Sequence, residues 1–195
     1  METARYVVAL ITIVLFPPSL IYWILVHPLT GIWRKIGLVS SYAIFLTIFT
    51  CLAIGFYFLK AVILRVNFGT NWILICFAVF LFGVGILIEV WCRKFLSLAT
   101  LVGIPELNPE GSKVVLLKDG IYGKMRHPRY AGATLGLLSM ALFSNYLAPY
   151  ILLLIWFPAL YLITFLEEKE LIVRFGEEYR EYQKNIPRFI PKRFF

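Results

Sequence analysis

The stretch from Tyr130 to Leu166, YAGATLGLLSMALFSNYLAPYILLLIWFPALYLITFL, runs for 37 residues without a Lys, Arg, Asp or Glu. As one helix it would be roughly 55 Å long, nearly twice the roughly 30 Å of a bilayer's hydrocarbon core. It therefore reads as two spans joined by a tight turn. Ser144, Asn145 and Pro149 mark that turn, two polar residues followed by one that cannot donate to a helix.

Outward from this hairpin, Tyr6–Val26 and Ile36–Leu59 are charge-free for 21 and 24 residues, and Trp72–Ile88 adds 17 more, extendable past Glu89. Runs near 20 residues match the bilayer at helical rise. The chain of 195 residues is 61% hydrophobic and 15% charged, against about half and a quarter in soluble domains. The first run is longer than a secretory leader's core, holds Pro17 and Pro18 in its middle and has no small-residue cleavage site after it, so it reads as a span. The expected fold is an all-α integral membrane protein of five transmembrane helices with a C-terminal amphipathic helix.

Five spans put the termini on opposite sides. Arg5, Lys60 and Arg65 then share one side, and the other sixteen of the nineteen basic residues share the second. Lys and Arg prefer the cytoplasmic side, so the C-terminus is expected in the cytoplasm and the N-terminus across the membrane. Basic loops facing anionic headgroups account for the net charge of +8 without nucleic acid. Cys51, Cys76 and Cys92 lack metal-ligand spacing, their odd number argues against a disulfide framework, and the two histidines, His27 and His127, make a His-rich metal site a poor reading. Glu89 and Arg93, four apart, read as an ion pair, and Gly83 and Gly85 as helix-packing positions. No metal site is expected.

The chain reads as one membrane domain, residues 1–195, with three spans in 1–98 and, in 99–195, a polar loop, the helical hairpin and a C-terminal helix. Gly103, Pro105, Pro109 and Gly111 punctuate the loop, and Val114–Leu117 reads as a short extended piece before a turn. Leu171, Phe175, Tyr179 and Tyr182 fall on one face of an expected tail helix reaching about Gln183, with Pro187 and Pro191 ending it.

Two polar segments exceed what topology requires, Gly120–Gly132 and Glu167–Tyr179. They flank the hairpin's two ends, so a short hairpin returns both to one rim. His127 before Pro128 is biased to an extended backbone and Pro128 can open the helix. The free N–H groups at that helix start favour an anion. Gly132 and Gly136 let another helix approach. Glu167 and Glu168 can bind a cationic group, and Glu170 can pair with Arg174.

Taken together, Gly120-x-Tyr122-x-x-x-Arg126-His127-Pro128-x-Tyr130-x-Gly132, then Glu167-Glu168-x-x-Leu171-x-x-x-Phe175-Gly176-x-x-Tyr179-x-x-Tyr182, then Pro187-Arg188-x-x-Pro191 resemble the isoprenylcysteine carboxyl methyltransferases and the related phospholipid methyltransferases. The match spans roughly Leu116 to Pro191. The eukaryotic enzymes carry extra N-terminal spans, and the five-span form resembles the small archaeal type. The resemblance implies S-adenosylmethionine as methyl donor, in a pocket facing the cytoplasm, with a lipid-facing entrance for a prenyl tail. It implies that Leu117, Gly120, Tyr122, His127, Tyr130 and Gly132 line the cofactor pocket. Glu167 and Glu168 would face the cofactor's amino and sulfonium end. Arg174 would hold the substrate carboxylate, and Glu167 could serve as a base for an amine acceptor. The implied acceptor is a prenylated cysteine or another lipid-like molecule. The expected partners are that acceptor and membrane lipids, with no nucleic acid; a monomer is compatible with this reading, and the oligomeric state is left open. A phospholipid N-methyltransferase and an NADPH-dependent sterol-reductase-like enzyme are the alternatives. The reductases carry a similar Arg-His-Pro-x-Tyr segment with Asn after Pro, where this chain has Arg129.

Overall fold

In hydrocarbon every backbone N–H and C=O must be bonded within the chain, so long apolar runs fold as helices. The computed structural model describes residues 1–96, 100, 103–107 and 115–191. Its helices are α1 (Glu2–Val26), α2 (Thr30–Ile36), α3 (Leu38–Phe58), α4 (Lys60–Ile63), α5 (Trp72–Arg93), α6 (Ile104–Leu107), α7 (Pro128–Ser144), α8 (Leu147–Phe175) and α9 (Glu177–Asn185), with a 3₁₀ turn at Gly120–Gly123. Among the described residues there is no strand, only an isolated bridge between Asn67 and Tyr146. The expected boundary at 98/99 and Val114, Pro109 and Gly111 lie outside the described residues.

Four helices, α1, α3, α5 and α8, are long and apolar enough to cross a membrane, which makes this a multi-pass membrane protein. The fifth expected span, α7, has 17 residues, about 25 Å of helix, and is shorter than the other four. The α7–α8 hairpin turns where expected. Asn145 takes the left-handed conformation (φ 53°) that caps α7, a position Asn tolerates better than most residues. Pro149 falls in the first turn of α8, where its missing N–H costs nothing.

That turn is pinned by α1 and by the loop before α5. Arg5 is fully buried and donates to the Ser144 carbonyl (3.0 Å), Thr70 Oγ1 (3.1 Å) and Asn67 Oδ1 (2.5 Å). Asn145 Nδ2 donates to the Gly69 carbonyl and Tyr150 Oη to Asn145 Oδ1. A guanidinium with three acceptors and no carboxylate fixes one end of the bundle.

In the middle, Leu20, Leu137, Trp156, Leu160 and Ile163 join α1, α7 and α8 in one buried cluster. Helices α5 and α7 come close together at glycines. A Cβ added to Gly85 would lie 3.3 Å from the Gly132 carbonyl oxygen, so both helices need small residues there. Helix α3 packs on α1, and apart from Ser41 and Phe45 its surface is not buried, as suits a lipid-facing span.

At the opposite end from Arg5 the tail departs from the expected single amphipathic helix. Helix α8 continues unbroken through Glu167–Arg174 to Phe175, and Gly176 (φ 60°, ψ −131°) breaks it before α9. Glycine adopts that backbone without the Cβ clash other residues suffer. The acidic segment thus caps a spanning helix instead of opening a surface one. Helix α9 turns back so that Tyr179 and Tyr182 are buried.

Candidate functional site

At this polar end, Arg126 and His127 precede α7, Glu167 and Glu168 end the apolar part of α8, Gln183 sits in the last turn of α9, and Ile186 to Arg188 follow it. The tail lies alongside the loop before α7, with the Arg126 N–H donating to the Pro187 carbonyl (2.9 Å) and the His127 N–H to the Arg188 carbonyl (3.0 Å). Pro128 occupies the first turn of α7 with His127 as N-cap, as its sequence suggests.

Glu168 is buried at the centre of this end. Its carboxylate accepts from Arg126 Nε (2.9 Å), Arg188 Nε (3.2 Å), Arg188 Nη2 (2.5 Å) and Gln183 Nε2 (3.0 Å), and stands 3.0 Å from His127 Nε2. Arg126 Nη1 also donates to the carbonyls of Gln183 and Ile186. Every lone pair of the carboxylate is engaged, and the group ties three chain segments together. The bond to Glu168 raises Arg188 above the ordinary arginine range.

Above this knot lies an open cleft. Helix α1 contributes Trp23 and His27, the loop and α7 contribute Leu117, Tyr122 and His127 to Tyr130, and α8 and α9 contribute Glu167, Arg174 and Tyr179. Trp23 and His27, four apart on α1, stack with ring centres 5.6 Å apart. Glu170, below Arg174, draws in two cations, Arg174 Nη2 and Arg34 Nη2 at 3.0 Å each, and His27 Nδ1 stands 3.5 Å away. This joins α1, α2 and α8 beside the cleft.

Among the described residues, the buried polar atoms around the cleft without a hydrogen-bond partner include Glu167 Oε2, Tyr179 Oη and Arg129 Nε. Glu167 Oε2 stands 3.7 Å from His127 Nδ1, an ion-pair distance only if His127 is protonated. Buried polar atoms are almost always bonded, so an acceptor and two donors left open around one cleft mark a surface shaped for a polar ligand. Burial pushes the Tyr122 and Tyr179 phenols well above the ordinary tyrosine range and Tyr182 up to about 12. All three are neutral at physiological pH. Tyr182 Oη donates to the Tyr122 carbonyl (2.6 Å), locking α9 onto the 3₁₀ turn.

A second concavity, an apolar groove, lies between α1 and α5 with α7 as its floor. Gly132 and Gly136 keep that floor low, and Phe82 and Ile86 at its edge face outward, each about half exposed. Trp23, Arg129 and Tyr130 border both the groove and the cleft.

The expected site residues separate accordingly. Leu117, Tyr122, His127, Tyr130, Glu167 and Arg174 meet at the cleft. Glu168 does not line it, because its carboxylate is spent on the knot beneath. Gly132 borders the groove and faces α5. Gly120 shapes the backbone at φ 59°, where a Cβ would overlap the Phe95 ring. Sequence reasoning gave no role to Trp23, His27, Arg129, Tyr179 or Gln183. The i, i+4 spacing of Trp23 and His27 was the available signal for two of them.

This geometry can hold a ligand with a cationic group near Glu167, beside a lipid chain in the groove. The family model for phospholipid methyltransferase matches residues 73–178, from the start of α5 into α9, and so contains the first polar segment and the second as far as Glu178. Comparison with curated proteins gave no match, and comparison with solved structures gave none. With more than half of its length matched, the chain belongs to the phospholipid methyltransferase family, whose members are methyltransferases acting on lipid-like substrates.

Proposed function

We propose that the protein methylates the carboxylate of a lipid-like acceptor, an isoprenylcysteine by its sequence resemblance, with S-adenosylmethionine as donor. The observation that carries this reading is the set of unpartnered atoms around the cleft, Glu167 Oε2 and Tyr179 Oη above all. A buried acceptor oxygen and a phenol donor fit the amino and carboxylate end of an amino-acid cofactor, and Trp23 and Tyr122 offer aromatic faces for a purine. S-adenosylmethionine bound there supplies an electrophilic methyl group on a sulfonium.

The chain's own residues have orienting work to do. A carboxylate acceptor is ionised at neutral pH and needs no base, which agrees with neutral phenols at the cleft. Arg174, held by Glu170, is the proposed partner of that carboxylate, which a charge-assisted hydrogen bond would orient. His127 and Tyr130 form the wall beside it. The apolar groove takes the acceptor's tail, and the aromatic wall excludes water, so alignment and desolvation supply the rate. The proposed topology has five spans, with α7 crossing, the cleft and C-terminus on the cytoplasmic side, and surrounding lipids as the protein's immediate partners.

The test is transfer of radiolabelled methyl from S-adenosylmethionine to N-acetyl-S-farnesylcysteine and to phosphatidylethanolamine by purified protein. The expected product is a methyl ester, whose label alkali releases as methanol. Label found only as alkali-stable methylamine would replace the carboxylate acceptor with a lipid amine.

A further inference from the structure

An acceptor drawn from the bilayer must carry its polar head from the groove to the cleft. The two concavities meet at Trp23, Arg129 and Tyr130. Of these three only Arg129 carries a charge. Its Nε is buried without a hydrogen-bond partner, and among the described residues it joins no ion pair. Every other arginine near the cleft is tied to a carboxylate: Arg126 and Arg188 to Glu168, and Arg174 to Glu170. The groove's other charged lining residue, Glu89, is bound to Arg93 at 3.2 Å.

A cation at the junction of an apolar groove and a polar cleft, with its Nε donor open, stabilises an anion that arrives there and repels an ammonium. We infer that Arg129 selects acceptors by charge at this threshold. It admits amphiphiles with an anionic head, a carboxylate or a phosphate, and disfavours amines. This rests on the lipid-acceptor reading above and narrows it to acidic lipids. Arg129 is a positioning and selecting residue that holds the head while the tail lies over Gly132 and Gly136.

The experiment is native mass spectrometry of the purified full chain in neutral detergent with hexadecanoate, hexadecyl phosphate, hexadecan-1-ol or hexadecylamine. A charge-assisted hydrogen bond corresponds to about tenfold tighter retention of the anions than of the alcohol in the wild type, with Arg129→Gln falling to within about twofold. Arg129→Lys keeps the charge and is expected to restore most of the preference, which separates charge selection from a folding defect. Equal retention of the two anions means that Arg129 reads charge alone. Stronger retention of hexadecanoate means that it reads the planar carboxylate through paired N–H groups. Either supports the inference. An unchanged preference in Arg129→Gln, or alcohol retained as well as acid by the wild type, overturns it. The binding readout needs no methyl transfer, so a protein that prefers anions but transfers no methyl would keep this inference and lose the proposed activity.

Discussion

Arg188 grips Glu168 twice, Nε to Oε1 at 3.2 Å and Nη2 to Oε2 at 2.5 Å, and so folds the tail back onto α8 across twenty residues of chain. Arg126 holds the same carboxylate from the loop before α7. The carboxylate thus binds the cleft's structural frame, while its neighbour Glu167 lines the cleft itself.

Glu168→Ala strands Arg126 and Arg188 beside each other, both largely buried. Removing one partner of a buried ion pair costs about 3–5 kcal/mol, so Tm in detergent should fall by roughly 10 °C. Thermal unfolding followed by intrinsic fluorescence checks this, and an unchanged Tm would mean that the knot does not hold the tail.

Glu167→Gln leaves that frame intact and removes from the cleft a negative charge whose Oε2 accepts no hydrogen bond. Calorimetry should show S-adenosylhomocysteine binding weakened about tenfold, with Tm unchanged. A lower Tm at unaltered affinity would move Glu167 from the ligand site to the scaffold.

Gly85→Leu drives a side chain into the Gly132 carbonyl, already 3.3 Å from a Cβ at that position. Backbone yields little, so overpacking should cost about 1–3 kcal/mol and narrow the groove that Gly85 lines. Gly83→Leu, where a Cβ meets nothing within 4 Å, is the control. Equal melting of the two variants would contradict close α5–α7 packing.

Four of the expected spans were legible because hydrocarbon admits few backbone solutions, and the turn could be read at Ser144 and Asn145 because the long runs on both sides are apolar. The rim was legible as two motifs but not as geometry. Glu167 and Glu168 look alike in sequence, and only the helix phase of α8 sends one to the cleft and the other to the knot. The tail helix was misjudged because the face shared by Leu171, Phe175, Tyr179 and Tyr182 survives the break at Gly176: all four still line the cleft. Trp23 and His27 lie on a span whose apolar character hid their shared face. Arg129 reads as one more basic loop residue until the groove beside it is seen.

Burial raises Tyr182 from 10.0 to about 12. A folded-state value above the unfolded one stabilises the fold in full below pH 10 and loses that stabilisation as pH rises towards 12. Melting temperature should therefore decline between pH 10 and 12, and Tyr182→Phe, although it sacrifices the bond to the Tyr122 carbonyl, should make that decline shallower. The same slope in wild type and variant would remove Tyr182 from the alkaline transition.

The central claim is tested most directly by calorimetric titration of the detergent-purified protein with S-adenosylhomocysteine and, separately, with NADPH. Saturable binding of the first and none of the second is expected of a cleft built around Glu167 and Tyr179. Binding of NADPH without binding of S-adenosylhomocysteine would contradict the methyltransferase assignment and favour a reductase.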